Sequence, residues 1–225
     1  MQVALSKIVV KPGQQLLLRD ISWSDFEEIL EDLGEHRGSR ISYSSGVMEI
    51  TVPLPEHEKH KEIIGEIVRI LLDKLEIDFE GLGSTTFKNV PMAQAVEADT
   101  CFYIKNYRAV IGKDKLNLTS DPPPDLAIEI DITNRTRLDN YLLLKVPELW
   151  RYTRKGLQIY LLQGDCYLES QTSPNFPGVP VRELIEVYTK QAQAEGRSKA
   201  IRALRSWIAD NFWKYQLRQS SKINL

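Results

Sequence analysis

Apolar residues recur at three- and four-residue intervals through "EHEKHKEIIGEIVRILLDKL", where Ile63, Ile64, Ile67, Val68, Leu71, Leu72 and Leu75 line one side. That spacing predicts an amphipathic helix beginning after Pro55. Upstream, "SWSDFEEILEDLG" carries Ser24 three residues before Glu27 and ends at Gly34. A short helix with a capping box on Ser24 is expected there. Between the two, "RISYSSGVMEITV" alternates on either side of Ser44-Ser45-Gly46 and predicts a β-hairpin.

After Asp78 the texture changes to strands. "GSTTFKNV" and "QAVEADTCFYI" are rich in β-branched and aromatic residues, and the loop "GKDKLNLTSDPPP" separates them from "DLAIEIDIT". "RTRLDNYLLLK" reads as a helix stopped by Val146-Pro147, because proline and its predecessor both disfavour continuation. "ELWRYTRKGLQIYLL" predicts a hairpin around Arg154-Lys155-Gly156, "CYLES" a further strand, and two helical stretches follow at roughly 180–193 and 198–215. The order indicates an α+β fold, an α/β sandwich in which helices cover a mixed sheet. Residues 1–50 are expected to pack as helix and hairpin on a core of 51–180, with 181–225 a helical segment, all in one compact domain.

One predicted strand is unusual. In residues 125–132, Leu126, Ile128, Ile130 and Ile132 share one face, while Asp125, Ala127, Glu129 and Asp131 share the other. An edge strand with its polar face in water would read this way. So would one wall of a charged site. "VEADTCFYI" carries a similar pattern, with Glu97, Asp99, Cys101 and Tyr103 on one side. If the two strands are neighbours, Asp99 meets Glu129 or Asp131. Carboxylates brought together in a partly buried site repel unless a cation joins them, and Mg²⁺ is suited to one or two carboxylates plus waters and phosphate oxygens. Such an ion also activates water and neutralises charge on a phosphoryl group.

Composition narrows the setting. A net charge of −2 argues against a surface that is basic throughout, yet residues 181–225 hold nine Lys and Arg against four Asp and Glu. A solvated helix face or a phosphate contact would both use that excess. Cys101 and Cys166 have no metal-knuckle or disulfide spacing, and the start lacks a leader pattern. A soluble cytoplasmic protein is the expectation.

"EADTCFYI", "PPPDLAIEIDITNRT" and "YLLLKVPELWRY", together with "PLPEHEKHKEIIGEIVRILL" and "FPGVPVREL", resemble the cyanobacterial Uma-two family of endonuclease-like proteins, a branch of the PD-(D/E)XK nuclease superfamily. The similarity spans roughly residues 15–190. It implies a restriction-endonuclease-like core, DNA as substrate, and Mg²⁺ or Mn²⁺ held by two acidic strands. Asp99 matches the first acid and Glu129 the second. Two departures stand out: Ala98 replaces the proline before the first acid, and Asp131 stands where the motif has its lysine.

That lysine stabilises developing negative charge, a role that needs a cation. Asp131 suits an accessory metal ligand instead, so the cation is expected elsewhere: first Arg137, at the start of the following helix, then Lys88 on an earlier strand. Glu62 is a further candidate because relatives use an acid from the first core helix, although it falls near that helix's charged side. His57 and His60 lie at or beside the apolar stripe and are expected to lean towards the sheet, as structural residues or metal ligands. Tyr141 and Trp150 are expected in the core. A homodimer would serve cleavage of both strands of a duplex. The competing reading is a catalytically silent nuclease-fold protein that binds nucleic acid or another protein; the missing lysine favours it and the clustered acids oppose it.

Overall fold

The cap of the first helix lies two residues earlier than predicted. Ser22, not Ser24, is the N-cap: its Oγ accepts the Asp25 N–H at 3.1 Å, and the Asp25 carboxylate accepts the Ser22 N–H at 3.1 Å. Asp25 is short enough to close this reciprocal box as glutamate does in the common version. The shift sets helix α1 at Trp23–Leu33 with Phe26 fully buried beneath it. The computed structural model describes residues 8–34, 38–89, 93–114, 116–132 and 138–211.

The other elements are β1 (Gln15–Leu18), β2 (Arg40–Ser44), β3 (Val47–Thr51), α2 (Pro55–Lys74), β4 (Glu80–Leu82), β5 (Thr85–Asn89), β6 (Gln94–Ala98), β7 (Thr100–Tyr103) and β8 (Leu126–Asp131). Then come α3 (Leu138–Leu143), β9 (Glu148–Thr153), β10 (Gly156–Gln163), β11 (Cys166–Ser170), α4 (Val181–Glu195) and α5 (Arg197–Asn211). Both predicted hairpins form. Ser45 and Gly46 turn the first with φ of 49° and 79°, the left-handed pair that a two-residue hairpin of this type requires.

The strands divide between two sheets. One is antiparallel in the order β1-β3-β2-β6-β5; the other runs β11-β10-β9-β8-β7-β4 and is mixed, because β8 and β9 are parallel. The sequence predicts one mixed sheet and reads residues 94–104 as one strand. In the fold that strand breaks at Asp99: β6 belongs to the first sheet and β7 to the second. Apolar periodicity cannot separate them, since both halves are buried.

Helices α2, α4 and α5 cover one face of the mixed sheet, with Ile64, Ile67 and Leu71 against Phe102, Ile128, Trp150 and Ile159. Each such side chain contributes about 1.5–3 kcal/mol relative to exposure. The opposite face packs Cys101, Tyr103, Ala127 and Leu149 against Tyr141 and Leu144 of the α3 segment and Phe87, Val96 and Ala98 of the first sheet. The polar face of residues 125–131 is therefore interior, not an edge in water. Among the described residues no helix is long and apolar enough to cross a membrane.

Candidate active site

Strands β7 and β8 pair antiparallel with Thr100 opposite Ile128 and Cys101 opposite Ala127. Continuing that register by one residue brings Asp99 opposite Glu129. Asp99 leaves the ladder at this point, and its Oδ2 accepts the Ile130 N–H at 2.6 Å. The side chain thus replaces a backbone partner and is fixed to the strand that bears the second acid. Asp99 is 0% and Glu129 5% exposed.

Two further elements reach the acids. The first turn of α2 supplies His57, whose Nε2 lies 3.1 Å from Asp99 Oδ2 and whose Nδ1 lies 3.3 Å from Glu58 Oε1. Burial and the neighbouring Arg40 push the His57 pKa down to about 4, with Glu58 pulling the other way. A neutral ring at neutral pH donates to only one of its two carboxylates. From the other sheet, β2 supplies Arg40, ion-paired through Nη1 to Asp99 Oδ1. Ser42 faces Val96 in the β2–β6 pairing, so the same register sets Arg40 beside Ala98, one residue from Asp99.

Glu129 is held from α3. The Tyr141 hydroxyl donates to Glu129 Oε1. Burial first, and then the carboxylate beside it, raise the phenol pKa well above its ordinary value, so Tyr141 remains a donor. Asp131 is ion-paired with Arg151 of the neighbouring parallel strand β9.

Of the predicted residues, the fold brings together Asp99, Glu129 and His57. Asp131, expected as an accessory ligand, is engaged in its ion pair with Arg151, and among the described residues no set of three or more His, Cys, Asp and Glu side chains is arranged to hold a metal. Lys88 pairs with Glu27 at 3.6 Å on the first sheet and does not reach the acids. Glu62 is exposed and lines a groove of about 670 Å³ between α2 and α4.

His60 is buried, as expected, but as a tie between helices. Its Nδ1 donates to Glu56 O at 2.8 Å, its Nε2 accepts from Gln193 at 2.9 Å, and its ring lies against Tyr152. Arg137 falls outside the described residues. Asp125 shares the acidic face of the strand but is consumed by structure: Oδ2 accepts the Ile104 and Asn106 N–H groups at 2.7 and 3.0 Å.

Sequence reasoning missed Arg40, Arg151 and the polar role of Tyr141. Arg151 had a signal, since it interrupts the apolar run "ELWRY" as the acids interrupt theirs. Arg40 had none, because its importance depends on how two sheets meet.

The donor set fits a hard divalent ion. Asp99 Oδ1 is a buried carboxylate oxygen countered by the Arg40 guanidinium, and Glu129 is a second buried carboxylate opposite it in the strand register. One or two carboxylates completed by water and substrate oxygens is the usual protein contribution to a Mg²⁺ site.

A solved structure of a "putative nuclease belonging to DUF820" from Anabaena variabilis is 12% identical, with a TM-score of 0.48 over 72% of this chain and 92% of that one. No curated protein matches the chain. Residues 23–210 match the model of the Uma2 family, described as "Putative restriction endonuclease". The match runs from α1 almost to the end of α5 and leaves out β1, and on that ground the chain belongs to the Uma2 family.

Proposed function

We propose that the protein is a Mg²⁺- or Mn²⁺-dependent nuclease that hydrolyses DNA phosphodiester bonds. The observation that carries this reading is the opposition of Asp99 and Glu129 across two paired strands, both buried and each fixed by its own partner. A structural ion-pair network has no need of two facing acids.

Asp99 and Glu129 would hold the ion. When bound, such an ion lowers the pKa of a coordinated water and neutralises charge gathering on the phosphoryl group. The protein's own groups do the positioning. The Ile130 N–H and His57 fix Asp99, and the Tyr141 hydroxyl orients the Glu129 carboxylate. Arg137 is proposed as the cation that replaces the absent lysine, and Arg151 keeps Asp131 neutralised so that a third negative charge does not oppose an approaching phosphate. A twofold dimer would present two such sites to the two strands of a duplex.

A second reading has its own observation. Arg40 neutralises Asp99, and Asp131 occupies the lysine position, as expected of a silent member that keeps the fold to bind nucleic acid or protein. Nicking of supercoiled plasmid by the pure protein separates the two. Scission in Mg²⁺ or Mn²⁺ that chelator abolishes supports the enzyme. Intact plasmid with folded protein in every metal overturns it in favour of the silent module.

A further inference from the structure

Arg40 and Asp99 meet at the candidate site: Nη1 is ion-paired with the buried Asp99 Oδ1, while the second guanidinium nitrogen, Nη2, is buried without a hydrogen bond. Buried polar groups are nearly always satisfied, so the spare nitrogen calls for an explanation. The Asp99 carboxylate suits any cation, a guanidinium or a metal ion alike. A bare guanidinium nitrogen suits an anion, and the guanidinium fork matches phosphate geometry.

The two partners are not equally anchored. Asp99 is held independently by the Ile130 N–H and by His57, and is fully buried. Arg40 has a 14% exposed side chain, and beyond Asp99 its ion-pair contact is to Glu58 at a distant 3.9 Å. When the pair separates, Arg40 is the member free to move.

We propose that Arg40 is an exchange residue: it neutralises Asp99 in the metal-free protein, then yields Asp99 to a divalent ion and turns its guanidinium to a phosphodiester oxygen. The proposal rests on the nuclease reading above. It gives the site a cation drawn from the opposite sheet, and it makes metal and substrate mutually supportive. Metal binding frees Arg40, and a phosphate then stabilises Arg40 in its new position.

Calorimetric titration with Mn²⁺, and anisotropy of a labelled DNA duplex in Ca²⁺, test this on the full chain with Arg40→Gln, Arg40→Lys and Asp99→Ala. Arg40→Gln should bind Mn²⁺ more tightly by roughly tenfold or more, the scale on which an adjacent charge alters a carboxylate's affinity for a proton. The same variant should bind DNA about tenfold more weakly, as when a charge-assisted contact is lost. Arg40→Lys keeps the charge and loses the fork, so it should hold near-normal Mn²⁺ affinity and still lose DNA affinity. A purely structural arginine would weaken both or neither. Mn²⁺ binding that Asp99→Ala abolishes and Arg40→Gln leaves unchanged would overturn the exchange role and preserve the metal site. Mn²⁺ binding by no folded variant would overturn both.

Discussion

Asp99 accepts the backbone N–H of Ile130 at 2.6 Å, so the first acid is fastened to the residue that follows the second acid. This bond substitutes for a ladder hydrogen bond at the point where the chain crosses from one sheet to the other. The crossing and the acid pair have one cause: the strand break at Asp99 both changes sheets and frees a carboxylate to face Glu129.

Tyr141→Phe removes the hydroxyl that donates to Glu129 Oε1. The ring still fills its fully buried place, so the variant should fold and lose about 1–2 kcal/mol of stability. Loss of a group that orients a metal ligand typically costs about 10–100-fold in affinity or activity. Plasmid-nicking rates should fall on that scale, and an unchanged rate would remove Tyr141 from the site.

Asp125→Ala should be far more damaging to stability than to chemistry. Its carboxylate terminates the Ile104 and Asn106 N–H groups and the Asn106 side chain, and its removal leaves buried donors unpaired. The expected cost is about 2–4 kcal/mol by urea unfolding, with Asp125→Asn retaining part of it. A loss below about 1 kcal/mol would contradict the structural assignment.

Glu148 gives a pH signature. Burial raises its pKa above the ordinary 4.5, against hydrogen bonds from Trp150 and Asn175 that act to lower it. An acid with a raised folded pKa contributes stability fully present below its unfolded value and lost as pH rises through the folded one. Wild-type stability relative to Glu148→Gln should therefore fall as pH rises above about 4.5. Parallel pH curves for the two proteins would show that the carboxyl ionises without penalty.

The two thiols should react differently. Cys101 is fully buried, and burial holds its thiol protonated, whereas Cys166 is exposed at the start of β11. Ellman's reagent should titrate one thiol rapidly in the native protein and two in denaturant, because the thiolate is the reacting species. Two rapid thiols in the native state would place Cys101 outside the core.

Much of the fold was legible because its signals are local. The apolar stripe of α2, the Ser45-Gly46 turn, the Pro147 stop and the Arg154–Gly156 hairpin need only neighbours in the chain to be recognised. Asp99, Glu129 and the inward lean of His57 were legible from strand and helix periodicity joined to a family resemblance. Arg40 and the Arg151–Asp131 pair were not, because each depends on strand register or on the meeting of two sheets. Asp131 illustrates the difference. Periodicity places it correctly on the acidic face, but only the parallel neighbour β9 reveals that an arginine already claims it.

The most direct test of the central claim is nicking of supercoiled plasmid in Mg²⁺ and in Mn²⁺ by wild type, Asp99→Asn and Glu129→Gln, each shown by melting to be folded. These isosteric changes keep shape and remove charge. The account predicts metal-dependent scission by wild type and its loss in both variants. Scission that survives either substitution, or no scission by the wild-type protein in any metal, would contradict it.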